Sequence, residues 1–282
     1  MCVDLHTHSV HSDGTATPAQ LISLAAGKLT GFALTDHDTV AGVREAIQLG
    51  AEQGVDVISG LELSATHGEH TVHILGYGVD VDSPVLAVAL ARLQQGRTER
   101  NLRILDKLAA LRMPLSLEEV EQVSGGGQTG RPHIARLLFA KGYVQSAGQA
   151  FSLYLAQNKA AWCDRFAYSA AETIAIIHEA GGVAVLAHPG IFDSALKVQP
   201  QLIRELAERH LDGLEIYYPG HTLSMIQLFS ELARQHKLLG TGGSDYHGDS
   251  RIKGLAGVAT GFFPPDSIME QLRSRLALNN DF

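Results

Sequence analysis

Short apolar runs alternate along this chain with stretches whose apolar positions recur every three to four residues. The short runs predict strands at Val3–Ser9, Phe32–Asp36, Val55–Leu63, Val72–Gly78, Val183–Ala187, Gly213–Tyr217 and Leu238–Gly242. The helical pattern fills many of the gaps, at Pro18–Lys28, Val40–Gln53, Ala170–Ala180, Gln199–Arg209, Thr222–His236 and Pro265–Leu276. Strands that alternate with helices predict a parallel sheet joined by crossover helices, an α/β fold. Seven such strands predict a closed or nearly closed barrel.

One region breaks the rhythm. From Pro84 to Arg165 there is almost no strand signal. Pro84–Arg112 reads as one long helix, with Leu86, Leu90 and Leu93 and then Leu102, Leu105 and Leu108 on its apolar face. Shorter helices follow at Ser116–Val123 and Pro132–Lys141, separated by Gly125-Gly126-Gly127. The expectation is a barrel built from residues 1–83 and 166–282, with a small helical domain, 84–165, inserted between two of its strands.

Composition narrows the class. A chain of 282 residues is of the size that one α/β barrel of about 250 residues needs. The formal charge of −8 excludes attraction of duplex nucleic acid through the overall field. It does not exclude a small anionic substrate, because bound metal ions would add local positive charge. Cys2 and Cys163 form neither a framework nor a CxxC pair, which suits a reducing cytoplasm. No signal-peptide pattern and no membrane-spanning apolar run are recognised, so a cytoplasmic enzyme without membrane contact is expected.

The candidate chemistry sits at the strand ends. His6 and His8 lie towards the C-terminal end of the first strand, Asp36, His37 and Asp38 at or just beyond that of the second, and Glu62 at that of the third. His73 begins the fourth, His188 follows the fifth, Glu215 is on the sixth, and Ser244, Asp245 and His247 follow the seventh. In a barrel the C-terminal strand ends share one face, where active sites lie. Residues two apart on a strand point the same way, so His6 with His8, and Asp245 with His247, form pincers for a cation. Carboxylates mixed with imidazoles suit Zn, Mn or Fe. Glu62 is the best bridging carboxylate. His37 is favoured as a ligand, with Asp36, Asp38 and Asp4 orienting imidazoles; Glu215 is left open between site and core. His11, His67, His70, His178, His210, His221 and His236 read as surface or satisfied core residues. Burying His6, His8, Glu62, His188, Asp245 and His247 together without a metal would cost several kcal/mol.

Taken in order, Asp4-Leu5-His6-Thr7-His8-Ser9, Ser12-Asp13-Gly14, Thr35-Asp36-His37-Asp38, Gly60-Leu61-Glu62, His188-Pro189 and Gly243-Ser244-Asp245-Tyr246-His247 resemble the PHP (polymerase and histidinol phosphatase) family of the amidohydrolase superfamily. The resemblance implies a distorted (β/α)7 barrel with two or three divalent metal ions, Mn2+ first and Zn2+, Fe2+ or Mg2+ as alternatives. By position, His6, His8, Glu62 and Asp245 would hold one metal. Glu62, His73 and His188 would hold a second, and Asp13, His37 and His247 a third. The roles of Asp13 and His73 rest on the resemblance alone.

The insertion and Thr129-Gly130-Arg131-Pro132-His133-Ile134-Ala135 resemble the TrpH-like branch. That branch is similar to nucleoside 3′,5′-bisphosphate phosphatases and to a 5′→3′ exonuclease of short RNA. In such a protein Arg131 would grip a substrate phosphate through its planar fork, with His133, Lys159, Arg100 and Asn101 as further substrate contacts. The reaction expected is in-line attack on phosphorus by a hydroxide shared between two metals. Asp245 or His247 would shuttle protons, and Arg131 would stabilise the phosphoryl oxygens. The expected substrate is a small nucleotide such as 3′-phosphoadenosine 5′-phosphate. The alternatives are exonucleolytic trimming of short RNA, with Tyr143, Tyr154 and Trp162 as stacking platforms, histidinol phosphate hydrolysis, and a non-catalytic metal-binding accessory domain.

Overall fold

The structure, a computed structural model, describes residues 2–191, 193, 195–248, 254–256 and 264–279. The last residues of the expected barrel segment, 280–282, lie outside the described residues. The first part runs β1 (Cys2–Asp4), α1 (Pro18–Ala25), β2 (Leu29–Leu34), α2 (Val43–Gln53), β3 (Asp56–His67) and β4 (His70–Tyr77). Residues 84–165 carry α3 (Pro84–Ala110), α4 (Leu117–Ser124), α5 (Arg131–Ala140), α6 (Ala147–Ala150) and one π-helical turn, Phe151–Leu155. The chain then returns through β5 (Tyr168–Ser169), α7 (Ala170–Glu179), β6 (Val183–Leu186), α8 (Gln199–Ala207), β7 (Gly213–Tyr217), α9 (Leu223–His236), β8 (Leu239–Gly242) and α10 (Ser267–Asn279).

The helices start where their sequences allow. Thr17 caps α1 in a reciprocal box with Gln20, ahead of Pro18 in the first turn. Ser169 does the same for α7 with Glu172.

The main sheet has the order β1-β2-β3-β4-β6-β7-β8, with β5 pairing β3. It is mainly parallel, and here the sequence expectation needs a correction. No crossover helix separates β3 from β4. They form an antiparallel hairpin whose last pair is His67 with His70, and β4 is antiparallel to β6 as well. Two residues, Gly68 and Glu69, make the turn, and Gly68 adopts φ +57°, the left-handed geometry that tight hairpins need. The reversal brings the first half of β4 beside the last half of β3, with Ser64 opposite His73.

β1 is also shorter than expected and ends at Asp4. The next residues run beside the segment after β8, through Leu5 N–H to Gly242 O at 3.2 Å, Asp245 N–H to His6 O at 2.8 Å and His8 N–H to Tyr246 O at 2.8 Å.

Burial follows strand alternation. One set of buried side chains, including Leu61, Leu63, Ile74, Ala184, Leu186 and Leu214, packs against α3, α7, α8 and α9. The other set, Val3, Leu5, Ala33, Ile58, Leu75, Tyr77, Val183 and Val185, gathers with Ile268, Met269 and Leu272 of α10. A further apolar cluster draws all its buried members from Ile104 to Cys163. No helix among the described residues is long and apolar enough to cross a membrane.

Candidate metal centre and the adjoining arginine cavity

His6 and His8 project from the segment after β1 and Glu62 from β3, and all three are fully buried. Asp245 follows β8. His6 Nε2 lies 3.4 Å from Glu62 Oε2 and 3.5 Å from Asp245 Oδ1. His8 Nε2 lies 3.3 Å and 3.2 Å from the same two oxygens. Ligands about 2.1 Å from one shared ion stand roughly 3.0–3.4 Å apart in octahedral or tetrahedral array. The four spacings, 3.2–3.5 Å, lie at or just beyond the upper end of that range.

Glu62 faces two ways. Its Oε2 also meets His37 Nδ1 at 3.0 Å, while its Oε1 meets His73 Nδ1 at 2.8 Å and His188 Nε2 at 3.1 Å. A third grouping brings together His8, Asp13, His37 and His247, with Asp13 Oδ1 3.2 Å from His247 Nε2 and 3.9 Å from His37 Nε2. His73 joins the cluster from the start of its strand because β4 runs antiparallel to its neighbours.

The fit of divalent cations can be judged from the donor atoms. His6 Nε2, His8 Nε2, His37 Nδ1 and Glu62 Oε2 are buried and make no hydrogen bond, although they converge on one another. Buried polar atoms without partners are costly, and this set is compensated by a cation placed among them. The electrostatics make the same demand. Burial opposes charge on His8, yet the Asp245 and Glu62 carboxylates raise its pKa to about 9. Burial likewise opposes ionisation of Glu62, but His37, His73 and His6 hold it well below the ordinary carboxylate range.

Other carboxylates support the cluster without entering it. Glu215 Oε1 lies 3.0 Å from His6 Nδ1, and its Oε2 accepts the His188 backbone N–H at 2.7 Å. That pairing leaves His6 Nε2 aimed at the cluster. Asp4 accepts from Ser244 N–H at 2.8 Å, Ser244 Oγ at 2.7 Å and Ala256 N–H at 2.8 Å. Asp36 accepts from Ser9 N–H, Ser9 Oγ and Ser12 Oγ at 2.5–2.7 Å. Asp4 and Asp36 thus hold the ligand-bearing loops, where direct orientation of imidazoles was expected. Asp38, His188 and Asp245 have φ of 53°, 30° and 54°. Such strained non-glycine residues collect at functional sites.

Beside His37 and His73 opens a cavity of about 380 Å³ whose wall includes Arg97, Arg100, Arg131 and Arg165. Trp162 and Phe151 add aromatic surface. The Arg131 guanidinium stands 4.6 Å from the Trp162 ring centre and donates to Leu155 O at 3.2 Å. Burial and the nearby charges of Arg165 and Arg97 lower its pKa to about 10, so it stays cationic at neutral pH. Arg100, 4% exposed, donates to Asn101 Oδ1 at 3.0 Å, and its Nε has no partner. Clustered, buried guanidinium groups favour a multiply charged anion.

A profile of the PHP domain matches residues 4–229. The chain belongs to the PHP-domain family. It is 34% identical over 247 residues to the "5'-3' exoribonuclease Rnm" of Escherichia coli, covering 86% of this chain and 84% of that one. It is 34% identical over 247 residues to the "3',5'-nucleoside bisphosphate phosphatase" of Chromobacterium violaceum, covering 87% of each. The solved structure of an amidohydrolase from Chromobacterium violaceum with bound sulfate superposes with a TM-score of 0.85. Its identity is 31%, and the match covers 98% of this chain and 97% of that one.

The structure brings together all nine residues expected as PHP metal ligands: His6, His8, Asp13, His37, Glu62, His73, His188, Asp245 and His247. The expected substrate contacts divide. Arg131 and Arg100 line the cavity. Asn101 is buried beside Arg100 and donates to Thr129 Oγ1 at 3.0 Å, so it steadies the wall. Lys159 is exposed and does not line the cavity. His133 is 1% exposed and its Nδ1 accepts the Gly130 N–H at 3.1 Å, which places it in the start of α5 and off the cavity wall. Of the aromatic platforms, only Trp162 lines the cavity; Tyr154 packs on the apolar cluster formed between Ile104 and Cys163, and Tyr143 lies off the wall.

Asp38 departs from expectation too. It pairs with Arg97 and, at 2.9 Å, with Arg165. The sequence reading passed over both arginines. Arg97 lies one helical turn before Arg100, a spacing that could have marked it. Arg165 carries no periodic signal. Tyr218, whose hydroxyl donates to Asp245 Oδ2 at 3.2 Å, was missed as well.

Proposed function

We propose that this protein removes the 3′-phosphate from nucleoside 3′,5′-bisphosphates such as 3′-phosphoadenosine 5′-phosphate. Family membership and the buried His–carboxylate cluster make it a metal-dependent phosphoric ester hydrolase. The observation that carries the finer reading is the pairing of that cluster with the arginine cavity, two anion-seeking sites side by side. A bisphosphate presents one phosphate to each.

In this reading His6, His8, Glu62 and Asp245 hold one ion, Glu62, His73 and His188 a second, and Asp13, His37 and His247 a third, with Mn2+ the first choice. Divalent ions bound there supply Lewis acidity, lower the pKa of water and neutralise phosphoryl charge. Arg131 binds phosphate oxygens and Trp162 offers a face to the base. Asp245 and His247 move protons: the His247 imidazole donates through Nδ1 to Asp245 O at 2.7 Å and faces the cluster through Nε2. The hydrogen bonds between the segments after β1 and β8 support a closed, distorted (β/α)7 barrel. The separate apolar cluster from Ile104 to Cys163 supports residues 84–165 as an inserted unit. Free Cys2 and Cys163 support a cytoplasmic site of action.

The test is phosphate release by the Mn2+-loaded protein from 3′-phosphoadenosine 5′-phosphate, adenosine 3′-monophosphate and histidinol phosphate, side by side. Turnover of the bisphosphate well above both monophosphates is expected. Equal rates on the two adenosine compounds would remove the arginine cavity from substrate selection.

A further inference from the structure

Asp13 is the one expected metal ligand that the sheet does not place. The other eight lie on β3 or β4 or just beyond β1, β2, β6 and β8. Asp13 sits in the loop between β1 and α1, where its Oδ1 faces His247 Nε2 at 3.2 Å and His37 Nε2 at 3.9 Å. The loop turns back on itself through Ser12 N–H and Gly14 N–H, which donate to Ser9 O at 3.1 and 3.0 Å. Gly14 permits that close fold, because a Cβ there would stand 2.3 Å from His8 O. Asp36 holds one side of the loop through Ser9 and Ser12.

Another side of the loop is held from a distant part of the chain. Gln128 N–H donates to His11 O at 2.9 Å. Arg136, half-buried on α5, donates through Nη2 to Asp13 O at 2.6 Å. A guanidinium donor at that distance makes a strong, charge-assisted bond. It fixes the peptide plane that follows Asp13, and with it the direction in which the Asp13 side chain leaves the backbone. Arg136 does not line the arginine cavity. It borders a second space of about 340 Å³ that also reaches Asp13 and His247.

We propose that Arg136 is a positioning residue: it anchors Asp13 for the third divalent ion, the one that Asp13, His37 and His247 share. This rests on the ligand assignment given under the proposed function. Two effects of Arg136 on that ion oppose each other. As a cation it repels a divalent ion nearby, so by charge alone its removal would tighten binding. As an anchor it presents the carboxylate in place, so its removal leaves the loop to be ordered by the ion itself, at a cost in affinity. The repulsion is screened, because the half-buried side chain keeps contact with solvent. Loss of an outer partner weakens metal binding by roughly 10- to 100-fold. Anchoring therefore prevails, and the sign of the change separates the two effects.

The test is calorimetric titration of the metal-free full chain with Mn2+, for wild type, Arg136→Met, Arg136→Lys and Asp13→Asn. Methionine keeps an aliphatic stem and removes the donor. In Arg136→Met the weakest of three bound ions is expected to weaken roughly tenfold or more, with the two tighter ones within about twofold of wild type. Lysine keeps a cationic donor and should recover part of the loss. Arg136→Met added to Asp13→Asn should weaken no remaining ion further, because the carboxylate through which it acts is gone. In turnover of 3′-phosphoadenosine 5′-phosphate, the Met variant should need more Mn2+ for half-activation, while KM at saturating Mn2+ stays within about twofold of wild type. Tighter or unchanged binding of the third ion in Arg136→Met overturns the anchor, as does equal weakening of every ion by a folded variant or a wild type that binds only two. Should Met prevent folding, Arg136→Gln is read identically. The selective loss, seen in a protein that leaves 3′-phosphoadenosine 5′-phosphate intact, supports the anchor and defeats the phosphatase reading alone.

Discussion

The Asp38 carboxylate stands 2.9 Å from Arg165 and also receives Arg97 through the same oxygen. Arg97 lies on α3 and Arg165 in the segment just before β5, so one residue in the loop that follows β2 fastens both to the sheet. Its geometry is held by Ser64 N–H, which donates to Oδ1 at 3.2 Å, and by Gln94, which donates to its carbonyl at 2.9 Å. Replacing Asp38 by Ala leaves both guanidinium groups buried without their counter-charge. That should cost about 3–5 kcal/mol of stability, read as a lower urea midpoint at pH 7. A midpoint equal to the wild type would show that the arginines do not depend on Asp38.

Arg131→Ala should weaken substrate use while leaving metal content unchanged. Hydrogen bonds to charged groups contribute about 1.5–3 kcal/mol, so KM for the bisphosphate should rise roughly 10- to 100-fold. Arg131→Lys keeps the charge but not the planar fork and should recover only part of the loss. Steady-state kinetics with metal analysis of each variant decides the matter. An unchanged kcat/KM in the Ala variant would remove Arg131 from the substrate site.

Glu215→Gln keeps the shape of the side chain but cannot serve both His6 Nδ1–H and the His188 N–H as a carboxylate does. Loss of such an outer partner lowers metal affinity by roughly 10- to 100-fold. Titration of the metal-free variant with Mn2+, followed by calorimetry, should show that shift, with full turnover restored at saturating metal. Unaltered affinity would reduce Glu215 to a packing residue.

His133 should make unfolding pH-dependent. Burial, reinforced by Arg136, lowers its pKa from 6.5 to about 4. A depressed pKa means that the folded state binds the proton less well than the unfolded chain. The stability contribution is therefore complete above about pH 6.5 and is lost as pH falls towards about 4, to a limit of about 3 kcal/mol. In His133→Asn this increment disappears, so the stability gap between wild type and variant should narrow from pH 7 to pH 4. A gap that stays constant across that range would contradict the shift.

The sequence by itself determined most of the local structure. Short apolar runs and the helical period located most sheet strands and flanking helices to within a few residues, because burial on one face imposes its period on each element, whereas the two-residue β5 left no signal and β1 ended well before Ser9. It also placed His6, His8, Glu62, His188, Asp245 and His247 at or just beyond strand ends, and the folded chain gathers them in one cluster. What it could not determine was which distant groups meet. His73 enters the cluster because Gly68 and Glu69 reverse the chain, and one short turn changes the direction of a whole strand. Glu215 finds His6, and Asp38 finds Arg165, across separations of 209 and 127 residues. Those pairings depend on sheet order and on how residues 84–165 pack against the sheet, which packing of the whole chain decides and no local window encodes.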